Sequence, residues 1–253
     1  MKFVRFRKNN QIAYGLAEGE TVRVIDGDPF SKYTMTSESI PLKSVRLLAP
    51  CEPSKIVAVG VNYQDHAAEF KKDLPKEPLL FLKPSTAVLD PQEPIRLPSR
   101  SRRVDYEAEL AVVIRKRTAK IAPDKTPEFI LGYTCINDVT ARDLQKEDGQ
   151  WTRAKGFDTF APLGPWIVTD LSPDNLKIES YLNGERRQSA STAQLIFKVP
   201  VLVSFISQVM TLLPGDVIAT GTPAGVGPMK SGDTIEVVIE GIGRLTNPVQ
   251  TPN

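Results

Sequence analysis

The sequence predicts a strand-rich α+β fold with a small β-meander at its N-terminus. Three features point there. Short runs of alternating apolar and polar residues outnumber helix-like periodicities. The 21 prolines among 253 residues interrupt long helices. Helical and strand patterns do not alternate in the regular order of a βαβ chain.

Taken in order, Phe3-Val4-Arg5-Phe6, Ile12-Ala13-Tyr14-Gly15-Leu16 and Thr21-Val22-Arg23-Val24-Ile25 are separated by Lys8-Asn9-Asn10 and Glu18-Gly19-Glu20. Those separators are turn signals. Residues 1–48 therefore read as the meander, and 49–253 as the main domain. Residues 55–61 make a buried strand, and 63–70 a short helix opened by Asn62, a good N-cap. A long strand is expected over 104–114, another over 130–136, and a helix over 140–147. Asn183-Gly184 is a two-residue hairpin turn. Residues 201–212 make a buried helix with Pro200 at its first position. Strands over 216–220, 234–240 and 243–249 follow. No internal repeat or low-complexity segment is visible.

Apolar residues make up 41% and charged residues 25%, with a net charge of +2 and both signs interspersed. No basic block marks nucleic acid or an anionic membrane as a partner. No apolar run approaches the roughly 20 residues of a membrane span, and the first residues carry no apolar signal core. Cys51 and Cys135 have neither zinc spacing nor a disulfide framework; free thiols in a reducing cytoplasm are expected.

The chemistry concentrates in Asp105-Tyr106-Glu107-Ala108-Glu109-Leu110. Alternate residues of a strand share a face, so Glu107 and Glu109 stand side by side, followed there by Ala111 and Val113. Tyr106, Ala108, Leu110, Val112 and Ile114 take the other side. Neighbouring carboxylates repel unless a cation or a retained proton intervenes. Asp138 supplies a third acid between a strand-like run and a helix. Three carboxylates suit a hard octahedral ion, Mg²⁺ or Mn²⁺. A half-exposed strand with solvated glutamates is the alternative.

His66 is the only histidine, and Glu69 lies three positions on, sharing its face if the segment is helical. A carboxylate on one imidazole nitrogen makes the other a better base; a surface ion pair would look the same. Arg142 and Gln145 share a face of the helix after Asp138. Either Arg142 or Lys155 could neutralise a bound carboxylate. Residues 221–227, Gly-Thr-Pro-Ala-Gly-Val-Gly, lack the ending of a Walker loop and open no helix, so they are no nucleotide motif. Their glycines allow a ligand close to the backbone.

These blocks, with Phe81-Leu82-Lys83-Pro84, Gly132-Tyr133, Trp151, Lys155-Gly156-Phe157-Asp158, Leu213-Pro214-Gly215-Asp216 and Gly232-Asp233, resemble in content and order the fumarylacetoacetate hydrolase family. The resemblance spans about residues 55–249. It implies a mixed β-roll and a homodimer. It implies Mg²⁺ or Mn²⁺ on Glu107, Glu109 and Asp138, a catalytic dyad of His66 and Glu69, and Lys155 beside them. Arg142, Gln145, Thr222 and Gly221 would bind a small 2-oxo acid. The short meander is similar to that of the bacterial acylpyruvase and isomerase/decarboxylase branch, which serves aromatic catabolism. It is too small for the SH3-like domain of eukaryotic fumarylacetoacetases.

The expected reaction is hydrolysis of a C–C bond in an acylpyruvate-type 2,4-dioxo acid through a metal-bound enolate, with His66 activating water. The same site would serve 2-hydroxyhepta-2,4-diene-1,7-dioate isomerisation or oxaloacetate decarboxylation. A binding protein without turnover and a purely structural β-domain are the remaining readings. Residues 70–78, rich in lysine, are expected to form a lid over an anionic substrate.

Overall fold

The computed structural model describes residues 1–65 and 74–251. The organising element is the strand Ala108–Ile114, apolar at every position after Glu109 and buried along its whole length. Such a run marks a strand covered on both faces. Ala108, Leu110, Val112 and Ile114 enter one core, with Val203 and Ile206 of the helix Val199–Val209 and with Ile178, Val237 and Leu245 of a second sheet. Ala111 and Val113 enter the other, with Ile56, Ile136, Leu163 and Ile167.

The largest sheet runs Tyr33–Pro41, Thr21–Gly27, Gln11–Glu18, Lys2–Lys8, Ala161–Val168, Ile130–Asn137, Ala108–Ile114, Val217–Ala219, Lys55–Gly60 and Leu79–Pro84. Most pairs are antiparallel, but Val217–Ala219 and Lys55–Gly60 run parallel, so the sheet is mixed. A five-stranded sheet packs against it in the order Glu185–Ser191, Lys177–Leu182, Thr234–Ile239, Gly243–Gln250 and Ile95–Arg96. The strand-rich α+β architecture expected from the sequence is the one observed. The meander strands lie in the same sheet as the rest, because Phe3 pairs with Ile167. The meander also contains a fourth strand, Tyr33–Pro41, which sequence patterning missed because its residues are mostly polar.

The strand expected over 104–114 divides at Glu107. Val104–Tyr106 pairs with Thr140–Ala141 and Gly227–Pro228 in a small third sheet, while Ala108–Ile114 pairs with Ile130–Asn137. Tyr106 therefore leaves the face of Ala108 and packs beside Val104 and Val139. The expected helix over 140–147 starts at Arg142, since Thr140 and Ala141 are spent on the third sheet. The helix Val199–Val209 begins one residue before Pro200, which is tolerated in the first turn because no N–H is needed there. Asn183 and Gly184 both have positive φ, as a two-residue hairpin between Lys177–Leu182 and Glu185–Ser191 requires. Most of the expected helix over 63–70 lies outside the described residues. Cys51 and Cys135 are free and buried.

Candidate metal centre

The division at Glu107 builds the site. Ala108 is the register partner of Asn137, so Glu107 and Asp138 leave the end of one ladder side by side. Two hydrogen bonds fix them there. Glu107 N–H donates to Asn137 Oδ1 at 2.9 Å, and Asp138 N–H donates to the Glu107 carbonyl at 2.9 Å. Glu109, next but one along the chain, completes a buried group in which one carboxylate oxygen from each residue lies within 4.8 Å of the others.

Bases surround these acids. Arg142 donates to Glu107 at 2.5 Å, to Asp105 at 3.0 Å and to Gln145 at 2.8 Å. Lys155 Nζ lies 2.9 Å from Glu107 Oε2 and 2.5 Å from Asp138 Oδ2. Burial pulls the Lys155 ammonium toward a lower pKa, but Asp138 and Glu107 outweigh it and hold the group above the ordinary lysine value. Glu109 accepts from the Gly221 N–H at 2.7 Å. Burial, then Asp138 and Glu107, push its carboxyl well above the usual carboxylate range.

Buried acids in such mutual conflict are the setting that a cation relieves. The donor set is all oxygen and all carboxylate, which fits a hard divalent ion. The half-exposed strand of solvated glutamates is not what forms: Glu107, Glu109 and Asp138 are each no more than 4% exposed.

The three acids, Arg142, Gln145, Lys155 and Thr222 line one pocket. Its wall is aromatic. Phe81 and Trp151 meet edge to face at 5.1 Å, and Lys155 Nζ stands 4.9 Å from the Phe81 ring centre. Gly60 is required beneath them, since an added Cβ would lie 2.8 Å from the Trp151 ring. Gly221, at φ +100, turns its amide to Glu109. His66, Glu69 and residues 70–73 of the expected lid lie outside the described residues.

Three contributors were missed by sequence reasoning. Lys83, fully buried, donates to Asp138 Oδ1 at 2.6 Å and to the Val139 carbonyl at 3.2 Å. Burial holds its pKa below the ordinary lysine value, with Asp138 only partly offsetting it. Its signal was a lone charge inside the apolar strand Leu79–Pro84. Asp105, also fully buried, is bridged by Arg103 and Arg142. Gln188, a buried residue between the exposed residues 183–187 and Ser189, had no signal at all.

Comparison with known proteins agrees with this geometry. The family model described as fumarylacetoacetate (FAA) hydrolase C-terminal matches residues 55–250, and one described as Rv2993c-like, N-terminal, matches residues 1–50. The solved structure of 2-hydroxyhepta-2,4-diene-1,7-dioate isomerase from Mycobacterium marinum is 48% identical, with a TM-score of 0.93 over 100% of this chain and 99% of that one. Oxaloacetate tautomerase Fahd2a, mitochondrial, from Rattus norvegicus is 43% identical over 83% of this chain and 71% of its own length. Maleylpyruvate hydrolase from Sphingobium sp. SYK-6, solved with manganese(II) and pyruvate, is 31% identical, with a TM-score of 0.83 and full coverage of both chains. On the match over residues 55–250 and on such likeness along most of its length, the chain belongs to the fumarylacetoacetate hydrolase family.

Proposed function

We propose that this chain is a divalent-metal-dependent enzyme that moves a proton between the keto and enol forms of a small 2-oxo acid. The observation that carries the reading is the buried acid group sharing one pocket with Lys155, Arg142 and Gln145. Glu107, Glu109 and Asp138 would hold the ion, with Mg²⁺ or Mn²⁺ the expected choices. Bound there, it would supply Lewis acidity toward an oxygen of the 2-oxo acid.

The chain's own groups do the remainder. The three carboxylates are matched in number by three cations, Lys83, Lys155 and Arg142, which bond Asp138 and Glu107, while Asp105 is matched by Arg103. The charge of a divalent ion is then left for an anionic substrate to balance. Arg142 holds the Gln145 carbonyl oxygen at 2.8 Å, so the amide NH₂ of this pocket residue is the group that can donate to a substrate oxygen. Lys155 can favour negative charge developing on the reacting oxygen. Phe81 and Trp151, set edge to face, offer an aromatic corner against which a conjugated enol could pack. His66, oriented by Glu69, is the proposed proton carrier, on the family resemblance alone.

Keto–enol transfer is placed first because it needs only a bound acid and a proton carrier, and because relatives at 43% and 48% identity bear the names tautomerase and isomerase. Hydrolysis of an acylpyruvate-type bond is the second reading, favoured by the maleylpyruvate hydrolase relative. A panel of oxaloacetate, a 2-hydroxy-2,4-dienedioate and acetylpyruvate, each with Mg²⁺ or Mn²⁺, tests both. Faster enol–keto conversion of the first two, lost in His66→Ala, is expected. Pyruvate release from acetylpyruvate without any such conversion would reverse the order, and an inert panel would sink both.

A further inference from the structure

Gln188 is 1% exposed and sits 80 residues from the acid strand, yet its side chain is bonded to it. Its Oε1 accepts from the Ala108 N–H at 3.0 Å. Its Nε2 donates to Thr222 Oγ1 and to the Pro223 carbonyl, both at 2.8 Å. The Thr222 hydroxyl donates in turn to the Ala108 carbonyl at 2.9 Å. Both backbone groups of Ala108, the residue between Glu107 and Glu109, are thereby taken by side chains from elsewhere.

The topology explains the need. On one side Ala108–Ile114 is paired along its length by Ile130–Asn137. On the other side Val217–Ala219 pairs only with Ala111, Val112 and Val113. The polar backbone of Ala108 would be buried without partners there, at a cost of about 1–3 kcal/mol per group. Gln188 and Thr222 take the place of the strand. A register shift delivers Gln188: Ser180 pairs with Gln188 but Tyr181 with Arg186, so Arg187 is an extra residue. Such a bulge re-aims neighbouring side chains. The loop 221–227 packs directly on it, because a Cβ at Gly225 would lie 2.4 Å from the Arg187 carbonyl.

We infer that Gln188 is a positioning residue of the metal centre: it holds Ala108 so that Glu107 and Glu109 keep their common aim, and it clamps the Thr222 loop to the same point. Thr222 is consequently restricted as well. Its proton is spent on Ala108, so toward the pocket its hydroxyl offers only an acceptor. This inference rests on the reading of Glu107, Glu109 and Asp138 as an ion site.

The test is Mn²⁺ binding alone, followed by the loss of the free-ion paramagnetic resonance signal, with no substrate present. Gln188→Met keeps the side-chain length and removes all three hydrogen bonds. It should weaken Mn²⁺ binding by about 10–100-fold, the usual size for groups that orient metal ligands. Thr222→Val should shift affinity in the same direction, and Thr222→Ser, which keeps the hydroxyl, should restore it. Should Gln188→Met fail to fold by circular dichroism, the Thr222 pair decides alone. Folded Gln188→Met or Thr222→Val protein that binds Mn²⁺ as the parent does would overturn the role of Gln188. A folded parent protein that binds no Mn²⁺ would instead remove the ion site itself, a different result from the first.

Discussion

The Gly221 N–H donates to Glu109 Oε2 at 2.7 Å, joining the glycine-rich loop to the acid strand across 112 residues of sequence. Gly221 has φ +100, and an added Cβ would lie 2.7 Å from the Asn62 Cβ. Asn62 cannot easily give way. Its side chain donates to the Thr220 and Phe197 carbonyls and accepts from the Phe197 N–H. Gly221→Ala is therefore expected to cost about 1–3 kcal/mol. Urea unfolding measures that loss, and a midpoint equal to the parent's would contradict it.

Divalent ions should stabilise the folded protein. An ion present at one hundred times its Kd adds about 2.7 kcal/mol. For a chain of this length that corresponds to a rise in Tm of about 5–10 °C. Thermal melts with Mg²⁺ or Mn²⁺ against EDTA read it directly. Asp138→Asn and Glu109→Gln should lose most of the rise; full retention in both would mean that the ion binds elsewhere.

Lys83→Met removes one of the two ammonium groups that hold Asp138. Breaking a buried ion pair from one side typically costs about 3–5 kcal/mol, because the remaining charge stays buried. The upper end is not expected, since Lys155 still bonds the other oxygen of Asp138. The double variant Lys83→Met/Asp138→Asn should be destabilised by less than the sum of its parts, because the two share one interaction. Strict additivity in a denaturation cycle would show that the 2.6 Å contact carries no energy.

Burial pushes the Cys51 thiol up to about 12, with the Arg5 charge opposing that rise and Asp216 and Glu52 adding to it. Burial pushes Cys135 higher still. At pH 8 the thiolate fraction of Cys51 is on the order of 10⁻⁴, so the nucleophile is nearly absent. Neither cysteine should react with a disulfide reagent in the native protein, and both should react in urea. Rapid native labelling at pH 8 would count against the packing described for either residue.

The acids were legible because strand alternation is imposed by the backbone: Glu107 and Glu109 share an aim whatever surrounds them. Asp138 was legible as an acid at a strand end, though its closeness to Glu107 depends on the Ala108–Asn137 register. Lys83, Asp105 and Gln188 were not read as site residues, because their partners are 55, 37 and 80 residues away and only the folded topology brings them in. The single strand expected over 104–114 failed at Glu107 for a related reason. Pairing with four different neighbours outweighed a uniform local pattern.

The pairing of Lys2–Lys8 with Ala161–Val168 bears on how this protein can be shortened. Phe3 sits beside Ile167 in one core, and Trp166 packs against Val4 and Phe6 in another. A fragment starting near residue 50 would uncover Trp166, Ile167 and Val168 along a bare strand margin, where unsatisfied main-chain groups invite another molecule to stack on. Such a fragment is expected to self-associate as material accumulates, even with every acid and lysine of the pocket retained.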